Sequence, residues 1–142
     1  MKKVLNKYFF ISLFLLLIGY LNIYGEDNRE SAQRTFAQIE TAFTENKIET
    51  IVELIDNTTF ISLSNGVVGY FSTDQTVNIL KKFLDENKPV QFILSNKKTE
   101  TRKPFATGSF VYINSGIRKQ SKVFVSMYLS GENWIIAQIT IN

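Results

Sequence analysis

The chain has 142 residues, 16 Lys and Arg against 13 Asp and Glu, a formal net charge of +3, and neither His nor Cys. Without Cys there is no disulfide, thiolate metal site, Cys nucleophile or lipid-modified cysteine. Without His there is no Ser-His-Asp triad, His-ligated metal or imidazole acid–base pair, so no metal, cofactor or catalytic set is expected.

Lys2, Lys3 and Lys7 precede an apolar run from Tyr8 to Leu21, broken only by Ser12 and Gly19, and the first acid is Glu26. A basic start, a short apolar run and a small residue before a polar shift form a signal peptide, residues 1–25, with cleavage after Gly25. The competing reading is an uncleaved membrane anchor, although a spanning helix needs about 20 apolar residues. On the cleaved reading the protein is exported, periplasmic or secreted, is not a lipoprotein, and keeps one domain, residues 26–142. All three excess positive charges leave with the signal, so the remainder is neutral.

Ala32, Phe36, Ile39 and Phe43 follow the spacing of one helix face, with Asn28 or Ser31 as a start and Asn46 as an end. Ile48, Ile51, Val52 and Ile55 make a second short helix stopped by Asp56 and Asn57. Thr59 to Leu63 reads as a strand, and Asn65-Gly66 turns it into a returning strand, Val67 to Phe71. Ser72-Thr73-Asp74-Gln75 is a capping box opening a third helix, with Val77, Leu80, Phe83 and Leu84 on one face and Asn87 and Pro89 at its end.

From Val90 the period becomes two. Val90, Phe92 and Leu94 alternate with polar or smaller partners, as do Phe105 to Ile113, Val123 to Leu129 and Trp134 to Ile141, with Ile135, Ala137, Ile139 and Ile141 expected on one side. Turns at Asn114-Ser115-Gly116 and Ser130-Gly131-Glu132-Asn133 join these strands into an antiparallel meander. Helices near one end of the chain and a meander at the other predict an α+β domain, with N-terminal helices packed on a curved antiparallel sheet. Tyr112, Phe124, Tyr128 and Trp134 exceed what helices on one face can cover. The surplus is expected to meet a partner subunit or line a pocket.

This order of elements resembles the nuclear-transport-factor-2-like cone that ketosteroid isomerase and scytalone dehydratase share. More narrowly, Tyr70-Phe71-Ser72-Thr73-Asp74-Gln75, Ile79 to Pro89, Phe92 and Ala106-Thr107-Gly108 resemble an exported bacterial family, the domain of unknown function 4783. The resemblance implies an export signal and the cone fold, with no established activity or catalytic residues. At Ser95-Asn96-Lys97 the chain departs from a His followed by a Gly in that family's pattern.

Residues 26–56 carry eight acids and three bases, whereas residues 97–122 carry seven bases and Glu100. The bases fall in two groups, Lys97 to Lys103 and Arg118 to Lys122, at the two ends of one strand. At roughly 3.4 Å per residue these groups stand about 30 Å apart. They are read as solvated loops, and no nucleic acid partner is expected. Asp56, Tyr70, Tyr112 and Gln138 are the candidate ligand-binding residues. The leading expectation is non-enzymatic binding of a small apolar ligand or a partner protein in the cell envelope, with a homodimer through the sheet face; a membrane enters only if residues 8–24 stay uncleaved. The alternative is an isomerase- or dehydratase-like enzyme using Asp56 as a base and a Tyr, in a cone cavity.

Overall fold

The structure, a computed structural model, describes residues 28–142; the expected signal at residues 1–25 lies outside them. Helix α1 is already helical at residue 28 and runs to 44, so Asn28 and Ser31 lie within it. Its expected face, Ala32, Phe36, Ile39 and Phe43, is fully buried. Asn46 ends it with φ 53, while the Asn46 and Lys47 amides donate back to the Phe43 and Ala42 carbonyls at 3.3 and 2.8 Å. Those two reverse bonds satisfy carbonyls the helix leaves open, and Asn tolerates the left-handed conformation they need.

The second short helix is a 3-10 helix, Ile48–Leu54. It buries Ile48 and Ile51 and leaves Val52 exposed. Strand β1, Ile55–Leu63, begins earlier than expected, so Asp56 and Asn57 belong to a strand rather than a helix stop. A four-residue connection, Ser64 to Val67 with Gly66 at φ +90, leads to β2, Val68–Phe71. Helix α2, Thr73–Glu86, opens on the expected capping box: the Gln75 amide donates to Ser72 Oγ at 3.4 Å, and the Ser72 amide to Gln75 Oε1 at 3.1 Å. Strands β3 (Lys88–Lys98), β4 (Phe105–Asn114), β5 (Ile117–Ser130) and β6 (Asn133–Ile141) follow as the expected meander. The β4–β5 turn places both Ser115 and Gly116 at positive φ, the geometry that fits the right-handed twist of a hairpin.

One six-stranded sheet results, in the order β2-β1-β6-β5-β4-β3. β1 lies parallel to β6 and every other pair is antiparallel. The core fills the space between the helices and one face of the sheet, as the α+β reading predicts. There Phe43, Phe92, Phe110 and Tyr112 form a chain of rings, with successive centroids 4.4, 5.9 and 4.8 Å apart. Trp134 and Tyr112 also belong to this buried face, whereas Phe124 and Tyr128 are half-buried on the other.

The expected alternation in β6 breaks at one point. Ser126 of β5 pairs with Gln138, but the next residue, Met127, pairs with Ile136. Ala137 is the extra residue of a β-bulge, which reverses the phase of the side chains on either side of it. Trp134 and Ile136 therefore join Ile139 and Ile141 in the core, and Ile135 and Ala137 are left half-buried.

Helix α1 also seals one edge of the sheet. β3 is an outer strand, and its Phe92 and Leu94 amides point away from β4. They donate to Thr44 Oγ1 at 3.2 Å and Glu40 Oε1 at 2.6 Å, two side chains one helical turn apart. The second Glu40 oxygen takes Lys97 Nζ at 2.8 Å. Part of the acidic start of the chain thus pairs with the basic segment inside the same molecule. The other basic group lies at the far end of β4, where Ile113 and Tyr112 pair with Arg118 and Lys119.

Candidate functional site

With the helices on one face, the sheet's outer face holds the remaining functional side chains. Phe60, Tyr70, Val111, Phe124, Tyr128 and Ile135 stand there, none of them in the buried core. The strands deliver them by simple alternation: Val123, Val125 and Met127 point to the core, so Phe124, Ser126 and Tyr128 point outward.

Asp56 lies at the irregular start of β1, where its pairing with β6 slips between Ile55 and Phe60. Its carboxylate accepts the Tyr128 hydroxyl and, at 2.7 Å, the Asn57 amide. Both bonds favour the charged form, so the Tyr128 hydroxyl first, and the Asn57 amide second, hold the carboxyl below its ordinary pKa. The same bond raises the Tyr128 hydroxyl, first because ionising it gives up the proton it donates to Asp56, then because of burial and of the charge on Asp56. Asp56 is therefore an ionised acceptor and Tyr128 a neutral donor, each already used by the other.

The four residues expected from sequence do not converge. Asp56 sits with Tyr128. Gln138 is also on the outer face, where it pairs with Phe60 and donates to Thr140 Oγ1 at 3.0 Å. Tyr70 is 74 % exposed at the β2 edge, its ring 5.1 Å from Phe60 in an edge-on contact. Tyr112 is on the opposite, buried face at 6 % exposure, its hydroxyl 3.4 Å from Ser121 Oγ. Tyr128, the partner of Asp56, was legible as a half-covered aromatic but not as its partner. The two are 72 positions apart, and no local spacing links them. Among the described residues no three carboxylates gather into a metal-binding group.

Beside the pair, an open hollow of about 470 Å³ is lined by Lys103, Phe105, Phe124, Ser126, Met127, Tyr128 and Ala137. The Phe105 and Phe124 rings lie 5.9 Å apart at 25°.

Residues 36–142 match the family described as domain of unknown function (DUF4783). Crystal structures of family proteins share the fold. The Bacteroides ovatus protein is 16% identical with a TM-score of 0.65, over 74% of this chain and 91% of that one. The Bacteroides uniformis protein is 14% identical with a TM-score of 0.67, over 75% and 94%. An uncharacterised protein with a cystatin-like fold from Caulobacter vibrioides is 15% identical with a TM-score of 0.62, over 82% and 90%. Structures named for the nuclear transport factor 2 fold share it too. No curated protein matches the chain in sequence.

Proposed function

We propose that this chain, which belongs to the domain of unknown function 4783 family, is a non-enzymatic binding domain of the cell envelope whose working surface is the outer face of its sheet. The observation that carries this reading is the division of the apolar residues. Helices and core occupy one face, while the other keeps Phe60, Phe105, Val111, Phe124, Tyr128 and Ile135 half-covered with nothing described above them. Half-covered aromatic and aliphatic side chains clustered on one face have the composition of an interface centre. A second copy of the chain is the partner this face fits. Its outward cations are Lys88 and Arg118 at one end of β4, Lys98 at the other and Lys122 between them, so two copies would meet through the half-covered apolar residues rather than through charge.

The enzyme alternative needs a carboxylate and a tyrosine facing one open cavity, each free to exchange a proton with substrate. The geometry favours binding instead, because Tyr128 gives its proton donor to Asp56 and Asp56 accepts a local amide as well. Export rests on the N-terminal pattern: the native protein should begin at Glu26 by mass measurement, and an intact N-terminus would favour the anchor.

Sedimentation of the native, cell-processed protein tests the surface. We expect a dimer that V111D and I135D each convert to a folded monomer. A wild-type protein that stays monomeric at all concentrations, or a dimer indifferent to both substitutions, would overturn the reading.

A further inference from the structure

We infer that the hollow bounded by Phe105, Phe124, Tyr128 and Ala137 is a binding site for a small amphiphilic carboxylate, an apolar body with one anionic head. The inference rests on the outer face being the working surface: a second copy seated on Val111 and Ile135 spans the hollow that lies between them, and the inference names what fills it.

The hollow owes its shape to the bulge in β6. The extra residue adds backbone and bends the strand, and because that residue is Ala the floor stays low. Phe105 and Phe124 form an aromatic wall, and the Tyr128 ring is held against its other side by the bond to Asp56. A volume of about 470 Å³ falls within the range of small-molecule sites, which are mostly apolar with a few placed polar groups.

The head group follows from charge. Lys103 is the one charged residue lining the hollow. Lys98, paired with Phe105 across β3 and β4, adds positive charge to the same rim. The single acid of that loop, Glu100, faces Arg29 at 3.7 Å. Asp56, the nearby carboxylate, is engaged by Tyr128 and Asn57. An anionic head finds a cation at the rim, while a cationic head meets like charge.

Calorimetric titration of the native protein with decanoate, decanol and decylamine tests this. Decanoate should bind about tenfold more tightly than decanol, and decylamine most weakly. K103M should cut most of the preference for decanoate over decanol and leave decanol unchanged. A137F should fill the floor and abolish binding of all three; if it fails to fold by circular dichroism, F124S takes its place. Equal affinity for decylamine and decanoate, binding indifferent to both A137F and F124S, or no binding of any probe would each overturn the site. So would binding only to vesicles of phosphatidylglycerol, which would assign the basic rim to a membrane surface. If the probes fail to bind while V111D still breaks the dimer, this inference alone fails. If neither effect is seen, the outer-face reading fails with it.

Discussion

Tyr128 and Asp56 form a pair whose protons can be followed directly. Asp56 binds its proton more weakly in the folded chain than in the unfolded one. The pair therefore adds stability above the ordinary carboxylate value of about 3.9, and that contribution fades as pH falls through the lower folded value. Tyr128 runs the other way. Its raised folded value makes its contribution complete below the ordinary tyrosine value of about 10 and lost as pH rises through the folded one. Removing the hydroxyl with Y128F should move the Asp56 carboxyl upward, read by carbon NMR titration, while the Asn57 amide keeps it somewhat depressed. An unmoved Asp56 would mean that the pair does not form. A different constraint acts at Gly108, within the Ala106-Thr107-Gly108 stretch. A Cβ there would sit 1.7 Å from the Ile93 carbonyl oxygen, a backbone atom with no easy retreat. Gly108→Ala should therefore cost about 3 kcal/mol or more in urea unfolding, the upper range for single substitutions. Alternation groups this position with Ala106, Phe110 and Tyr112; only the approach of β3 explains why it carries no side chain.

Among the elements, α2 shows how far local chemistry reaches. Ser72 and Gln75 were readable as a capping box because the bonds they make span three residues. Ser72→Ala should lower stability by about 1 kcal/mol, measured by denaturant unfolding. The end of α1 at Asn46 and the turn at Ser115-Gly116 were legible for the same reason, since positive φ is tolerated by few residue types. The contact of α1 with β3 was not. Glu40 and Thr44 lie outside the apolar face Ala32, Phe36, Ile39 and Phe43, and their bonds to Leu94 and Phe92 cross 54 and 48 positions. These side chains take the place of a neighbouring strand at an edge that would otherwise offer free amides. Replacing Glu40 with Ala and Thr44 with Val should speed amide hydrogen exchange at Leu94 and Phe92 while leaving β5 protected. Equal exchange in the variant would show that something else shields that edge.

Across the whole molecule, the two faces of the sheet should respond differently to the same truncation. Phe110 touches Phe83, Phe92 and Tyr112 in the core and is fully buried, so Phe110→Ala should cost about 3–5 kcal/mol. Phe124 is half-buried on the outer face, and Phe124→Ala should cost clearly less; urea midpoints of the two variants make the comparison. Charge is also arranged on this scale. The acidic beginning and the basic later segment meet through Glu40 and Lys97, so the segregation seen along the chain is partly neutralised within the fold.

The sequence alone determined the α+β class, the helix faces, the cap, the turns, the meander and the narrow range of available chemistry. Each of these depends on residues a few positions apart or on composition. Tertiary structure decided the parallel pairing of β1 with β6, the bulge at Ala137, the edge contact of α1 and the partnership of Asp56 with Tyr128. Those features depend on groups distant in the chain, and only chain closure brings them together. The bulge shows the difference most sharply. Strict alternation put Ile135 and Ala137 on one side with Ile139 and Ile141, but β6 pairs with β5 through one extra residue. That residue turned Trp134 and Ile136 into the core and left a shallow, aromatic-walled hollow on the face that remained uncovered.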